Sequence, residues 1–200
     1  MANSGSATLL TPPKPHRPNS SFQNLMSLHW WMAIAYLGLF IGGALMARLP
    51  DSVAVRPSLY DFHKSIGVLT IGLLLARILL LLRVWWRKYS RRLPRQSPRW
   101  WRLVILHTLL YGFMLAVPTS GVFLSNSYKA ANVELFGILL PDLFPQNQAI
   151  LDLGRSLHFW LAYSFLMFVL AHSFEQRKVL RALWRRARGA FKPKSKSSAA

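Results

Sequence analysis

The chain alternates between long apolar stretches and short polar segments that are strongly basic. Its four apolar stretches are 26–47, 65–82, 103–124 and 156–174. A helix that crosses a bilayer needs about 20 predominantly apolar residues, and these stretches are apolar around the whole helix rather than along one stripe. The pattern predicts an all-α membrane protein with a four-helix transmembrane bundle within residues 26–174. The expected helices are about 26–47, 63–86, 101–124 and 154–176.

The segments outside the four apolar stretches differ from one another in composition. Residues 1–22 are polar, contain several Ser, Pro and Asn, and lack the apolar core of a signal peptide, so we expect a disordered cytoplasmic tail and a retained first span. Residues 177–200 are basic. They suit either an amphipathic helix lying on an anionic leaflet or a solvated tail. The apolar segment 133–151 contains two prolines and two acids, which favours a short amphipathic cover for the outer face over a fifth span.

Charge first suggests a nucleic-acid binder, because 25 Lys and Arg stand against 6 Asp and Glu in 200 residues, a formal charge of +19. The basic residues concentrate in segment 83–102 and after residue 174. The positive-inside rule therefore places both segments and both termini in the cytoplasm, and acids and bases cancel in the two outer connections. The charge is an orientation and lipid-contact signal, and no nucleic-acid partner is expected. Without cysteine, thiolate metal sites and iron–sulfur clusters are excluded.

Five of the six histidines lie in or at the edges of the spans, where ionisable groups are costly and indicate function. His29 and His172 fall at the inner level, and His63 and His158 at the outer level. His158 and His172 are 14 residues apart, which places them on nearly the same helix face and about 21 Å apart. An interhelical hydrogen bond is the alternative for any one histidine. Two pairs at matched depths instead suit two haems with two histidine ligands each, which favours electron transfer.

Several motifs together resemble the bacterial cytochrome b561 family over about residues 28–173. They are His29-Trp30, His63-Lys64-Ser65-Ile66-Gly67, Arg77, Pro118-Thr119-Ser120-Gly121, and His158 with His172. The resemblance implies a four-helix cytochrome with two b haems, and it implies that His29, His172, His63 and His158 bind the haem iron. Family members include enzymes that oxidise superoxide and reduce ubiquinone, so the expected function is a superoxide:quinone oxidoreductase or, more broadly, an electron-transfer cytochrome.

Four further residues are candidates for the same chemistry. Lys64 and Arg155 lie beside outer histidines and suit contact with superoxide or a quinone, with a headgroup-facing Lys64 as the alternative. Arg77 suits a haem propionate or an inner headgroup. His107 suits a propionate or a contact with a ligand, or replaces His29 or His172 as a ligand.

Two other functions remain open. The chain could be a cytochrome subunit that anchors a partner oxidoreductase and relays its electrons, or a haem-free adaptor with a basic inner surface. For the superoxide:quinone oxidoreductase, the expected partners are quinone, superoxide or another one-electron donor, and membrane lipid. The expected location is a bacterial inner membrane or another energy-transducing membrane.

Overall fold

The computed structural model describes residues 20–89 and 96–190, and the described part is mostly helical. The helices are α1 (Ser20–Met46), α2 (Arg56–Tyr89), α3 (Pro98–Tyr128), α4 (Leu151–Glu175) and α5 (Arg177–Ala190). Within the described residues, four segments are long and apolar enough to cross a membrane: Gln23–Met46, Arg56–Arg87, Pro98–Tyr128 and Gln148–Glu175. The predicted all-α four-helix membrane bundle is thus confirmed. Most of the expected N-terminal tail, and residues 191–200, lie outside the described residues.

The helices extend beyond the apolar stretches that mark them in the sequence. Helix α2 begins at Arg56 rather than at position 63, and α3 begins at Pro98 rather than at position 101. At the start of α3 the Ser97 side chain accepts a hydrogen bond from the Trp100 backbone N–H at 3.2 Å, and Pro98 follows it. Serine as the N-cap and proline in the first turn favour helix initiation there. Local capping therefore sets this boundary, whereas hydropathy marks only the part inside hydrocarbon.

Neighbouring helices pack in chain order, with α1 against α2, α2 against α3 and α3 against α4. Aromatic contacts close the bundle between α1 and α4, where the rings of Tyr36 and Phe165 lie 5.1 Å apart. The Tyr36 hydroxyl also donates to the Met114 carbonyl of α3 at 2.7 Å. The end of the bundle at which α1 begins and α4 ends is called the inner end below, and the opposite end is the outer end.

The connection between α3 and α4 forms a folded cover at the outer end. Strands β1 (Glu134–Leu135) and β2 (Ile138–Leu139) pair antiparallel, with Glu134 opposite Leu139. Phe136 and Gly137 make the turn between them with positive φ angles of 50° and 89°, which glycine adopts without strain. A short 3₁₀ helix, Gln148–Ile150, leads into α4. The segment expected to be amphipathic is thus a hairpin followed by an extended return.

Candidate functional site

At the inner end, the structure brings His29 of α1 next to His172 of α4. Their ring centroids lie 6.2 Å apart and the ring planes are inclined by 83°. Both side chains are half-buried between the helices. The contact joins the first and the last membrane helix, so the fold of the whole bundle positions this pair.

At the outer end, His63 of α2 faces His158 of α4 in almost the same arrangement. The ring centroids are 6.4 Å apart and the planes are inclined by 84°. Helix α4 therefore contributes one histidine to each pair, and a different helix supplies each partner. The described structure thus contains two histidine pairs of nearly equal geometry at opposite ends of the bundle.

The spacing of both pairs fits one metal ion between two imidazoles. Imidazole–metal bonds of about 2 Å, with about 1.1 Å more from the bound nitrogen to each ring centroid, place the centroids of two opposed rings about 6.2 Å apart. The observed separations of 6.2 and 6.4 Å match that value. Perpendicular ring planes are compatible with it, because each ring can rotate about its own metal–nitrogen bond. The residues present therefore fit a haem, which His29 with His172, or His63 with His158, would hold by its iron.

The surroundings of the Nδ1 atoms in three of these histidines are also compatible with a metal bound between the rings. His63 Nδ1 and His172 Nδ1 are buried with no hydrogen-bond partner among the described residues, although buried polar atoms are generally paired. His158 Nδ1 instead lies 3.1 Å from the Val117 carbonyl and 3.0 Å from the Ser120 hydroxyl. Such a contact fixes one ring nitrogen and leaves the other for a metal.

Two glycines make room for the outer histidines. A Cβ added at Gly43 would lie 3.3 Å from His63 Cε1, and one added at Gly121 would lie 3.2 Å from His158 Cε1. Both distances are shorter than about nine in ten real Cβ contacts, so the imidazole would have to shift by a few tenths of an ångström. Gly121 belongs to the Pro118–Gly121 motif, so the motif's glycine permits the imidazole to approach the α3 backbone.

His107 of α3 joins the inner pair but differs from it in spacing. Its ring centroid lies only 4.9 Å from that of His172, which is too short for two imidazoles on opposite sides of one ion. Its Nδ1 lies 2.6 Å from the Leu103 carbonyl of the same helix. The geometry therefore pairs His172 with His29, and it places His107 beside that pair.

Arg77 reaches across the inner end from α2. Its Nε donates to the Tyr111 hydroxyl of α3 at 2.9 Å, and its Nη1 donates to the Leu25 carbonyl of α1 at 2.9 Å. Both bonds join helices, so Arg77 does not simply extend to the headgroups. Tyr111 was not singled out in the sequence, because nothing in the pattern of α3 indicates that it faces Arg77.

The two outer cations have different surroundings. Lys64 Nζ lies 2.8 Å from the Asn132 carbonyl, 3.1 Å from Asn132 Oδ1 and 2.9 Å from Asp61 Oδ1. Three acceptors equal the number of N–H donors of an ammonium group. Arg155 contacts Asp152 at 3.1 Å, and its side chain is 60% exposed. It lines a shallow surface pocket with Ser156, Phe159 and Trp160.

Ser65 and Lys64 attach the outer cover to α2, directly after His63. The buried Ser65 hydroxyl donates to the Glu134 carbonyl at 2.9 Å and accepts from the Phe136 N–H at 3.1 Å. Asn132, which accepts from Lys64, donates in turn to the Ser125 hydroxyl of α3 at 3.1 Å. We call Lys64, Ser65, Asn132 and Ser125 the outer clasp. Ser65 and Asn132 were not predicted to matter, although the His63-Lys64-Ser65 run is the signal that points to Ser65.

A second set of polar bonds holds the cover to α3. Asp142 accepts from the Asn126 side chain at 2.6 Å and from the Ala131 N–H at 2.9 Å. Asn126 is completely buried, and its Oδ1 accepts from the Leu143 N–H at 3.2 Å. The loop over the outer histidines is therefore fixed by side chains at both of its ends.

A four-helix membrane bundle with paired histidines between its helices has the architecture of a b-type membrane cytochrome. Residues 24–177 match the family model described as prokaryotic cytochrome b561. The chain is also 32% identical over 154 residues to cytochrome b561 homolog 2 of Escherichia coli strain K12, a match covering 74% of this chain and 78% of that protein. The chain belongs to the prokaryotic cytochrome b561 family, as its motifs predicted. It is a membrane electron-transfer protein of the bacterial inner membrane, and the family implies b-type haem.

Proposed function

We propose that the chain holds two b haems and transfers single electrons from superoxide to a quinone. His29 and His172 would hold the inner haem, and His63 and His158 the outer haem. The observation that carries the proposal is the equal spacing of the two histidine pairs, 6.2 and 6.4 Å, at opposite ends of one bundle. When bound, haem iron supplies one-electron oxidation and reduction, and two imidazole ligands leave it no open position for oxygen.

The reaction balances in electrons and protons. Two superoxide anions each lose one electron and become dioxygen, and one quinone takes the two electrons with two protons and becomes a quinol. The chain's own residues have to admit a small anion near one histidine pair and stabilise its negative charge there. Their other task is to hold each imidazole pair at a fixed spacing.

Arg155 is the outer cation that suits contact with the anion. It is exposed, its one described ion pair is with Asp152, and it lies three residues from His158 along α4. Lys64 has its three donors directed at groups of the protein, so we assign it to holding the cover rather than to substrate. A positive side chain at the mouth of a site raises the local concentration of anions, and this effect weakens with salt.

Arg77 and His107 are proposed to serve the inner haem without ligating it. Arg77 presents a guanidinium beside His29 and His172, where it would stabilise haem propionates by charge-assisted hydrogen bonds. The ring centroids of His107 and His172 lie 4.9 Å apart, and His107 Nδ1 contacts the Leu103 carbonyl of its own helix. A ring fixed in this way beside His172 would fix the orientation of the His172 ring.

The deciding experiment is a haem count on the purified full chain, by pyridine haemochrome together with a reduced-minus-oxidised spectrum. We expect two b haems per chain with both irons in the low-spin state. One haem or none per chain would contradict the proposal. The haem count also separates an electron carrier from a haem-free adaptor.

A second experiment tests the reaction. Superoxide generated in the presence of the reconstituted protein and a soluble quinone should reduce the haems and then the quinone. Arg155→Gln should slow haem reduction severalfold at low salt and much less at high salt, whereas Lys64→Gln should leave the salt dependence unchanged. Intact haems that superoxide does not reduce would favour a subunit that relays electrons for another oxidoreductase.

A further inference from the structure

Helix α5 is a basic, amphipathic helix that lies almost entirely beyond the part of the chain matched to the family. The family match ends at residue 177, and α5 spans Arg177–Ala190. It contains six Lys and Arg and no Asp or Glu. Its role therefore does not follow from family membership.

The start of α5 is fixed to the inner end of α4. A single residue, Gln176, separates the two helices. Its N–H donates to the His172 carbonyl at 3.0 Å, and its carbonyl accepts from the Val179 N–H at 2.9 Å. Helix α5 therefore begins directly at the inner end of a membrane-spanning helix.

The two faces of α5 differ in chemistry. At about 100° per residue, positions 177, 178, 181, 185 and 188 fall on one side, and all five are Arg or Lys. The apolar positions 179, 180, 183, 184 and 187 fill a second arc of about 140°. Val179 and Trp184 lie at the two edges of this arc and are 52% and 60% exposed, and Arg186 is the one basic residue of the helix that lies outside the basic arc. An apolar face without protein cover, opposite a basic face, is typical of helices that lie in the interface of an anionic membrane.

Aromatic rings support a location in the headgroup region. The Arg177 guanidinium lies 4.7 Å from the ring of Phe174, which is 67% exposed at the end of α4. The Arg188 guanidinium lies 4.9 Å from the ring of Trp184. Tryptophan is enriched at this level of membranes, and each pair places a cation and an apolar ring together at a boundary between hydrocarbon and charge.

We infer that α5 is an anionic-phospholipid-binding helix, with Val179 and Trp184 inserted among the acyl chains of the adjacent leaflet and its basic face on the headgroup phosphates. Every Lys or Arg near an anionic surface increases binding about fivefold. The helix then extends the membrane contact of the cytochrome along the surface at the inner end. The inference does not depend on haem, on superoxide or on a quinone.

The absence of cysteine from the chain permits a clean test. Val179→Cys provides a single position for an environment-sensitive fluorophore on the apolar face of the full-length protein. The protein is reconstituted in nanodiscs of neutral phosphatidylcholine or of an equal mixture with anionic phosphatidylglycerol. We expect the label to shift to the blue and to be shielded from an aqueous quencher in the anionic nanodiscs, and to be less shielded in the neutral ones.

Removal of charge should reverse the effect. Arg181→Gln with Arg185→Gln should lower the ratio of membrane-bound to free helix about 25-fold in anionic nanodiscs, and added salt should weaken binding of the parent. The matched control is Arg99→Gln with Arg102→Gln, which removes the same charge from the start of α3 and should leave the label shielded. The haem spectrum verifies that each variant is folded.

Three results would overturn the inference. The label could be equally accessible in both lipid compositions, or the control pair could release it as fully as the α5 pair. Shielding by added duplex DNA in neutral nanodiscs, without shielding by anionic lipid, would assign the basic face to nucleic acid instead.

Discussion

The inner and outer histidine pairs have nearly the same spacing but are supported in different ways. At the inner end, polar side chains from several helices surround the pair, with Arg77 donating to α1 and α3 and His107 lying against His172. At the outer end, Gly43 and Gly121 let the imidazoles approach the backbone, and the outer clasp holds a loop over them. A half-buried cation and a third histidine thus flank the inner pair, whereas the outer pair lies against two glycines and beneath a cover that polar side chains fix.

This difference predicts which properties each end controls. A cation beside an iron site favours the reduced form, because reduction lowers the positive charge of the site, so the inner end is suited to setting a reduction potential. At the outer end Lys64 is already paired with Asp61 and the contacts closest to the histidines are with Gly43 and Gly121, so this end is suited to fixing the position of the imidazoles. The predictions below alter one end and use the other as the reference.

The largest effect is expected from the histidines. If the proposed ligands are right, His63→Ala should remove the outer haem and leave the inner one, and His29→Ala should do the reverse, because each variant lacks one of the two histidines proposed to hold that haem. The measurement is the haem count per chain, with low-temperature spectra to identify the haem that remains. His107→Ala is the matched control and should retain both haems, since its ring is too close to His172 to share an iron with it. Loss of the inner haem in that variant would make His107 a ligand.

A single methyl group at Gly121 should disturb only the outer site. Gly121→Ala places a Cβ 3.2 Å from His158 Cε1, and overpacking of this kind costs about 1 to 3 kcal/mol. We expect a shifted low-spin signal from the outer haem by electron paramagnetic resonance and a lower thermal midpoint for its release.

Gly112→Ala is the control for that substitution on the same helix. An added Cβ there meets no atom within 4 Å, and alanine is favoured over glycine in a helix by about 1 kcal/mol. That variant should keep both haem signals and be as stable as the parent or more so. Equal behaviour of the two variants would mean that the outer histidine does not depend on close approach to α3.

Arg77→Gln tests whether the half-buried cation at the inner end sets the reduction potential there. Removal of the guanidinium should lower the reduction potential of the inner haem by tens of millivolts, where about 59 mV is a tenfold change for one electron. The outer haem should change much less, because the charge is at the other end of the bundle. The measurement is a redox titration followed at the wavelengths of both haems. Arg77→Lys retains the charge but cannot make both bonds of the guanidinium, so a normal potential in that variant would separate charge from geometry.

The sequence predicted the spans and the depths of the histidines, because hydropathy and the rise per residue determine both. It did not predict the partners of Arg77 or Ser65, because those contacts depend on how the helices rotate and fit together. The Arg77 bond to Tyr111 joins residues 34 apart in sequence, and the Ser65 bond to Glu134 joins residues 69 apart. His107 illustrates the same limit: its depth made it a possible ligand, and its shorter ring distance to His172 is the observation that leaves it out of the proposed ligand set.

Ser65→Ala should have the smallest effect and should be confined to the outer cover. It removes the bond to the Glu134 carbonyl and the acceptor for the Phe136 N–H. Because Phe136 and Glu134 lie at the surface, water can replace part of the loss, and we expect a cost of about 1 kcal/mol in the free energy of local opening. Hydrogen exchange of the segment 133–139 should quicken about fivefold, while exchange near Arg77 and the inner haem potential should be unchanged. Thr70→Val is the reference, because Thr70 is buried in the same helix, where its hydroxyl donates to the Gly67 carbonyl and lies beside the Tyr36 hydroxyl of α1, and none of its described bonds reaches the cover. If Ser65→Ala altered the inner potential as well, the two ends would be coupled, and the division between an electrostatic end and a packed end would not hold.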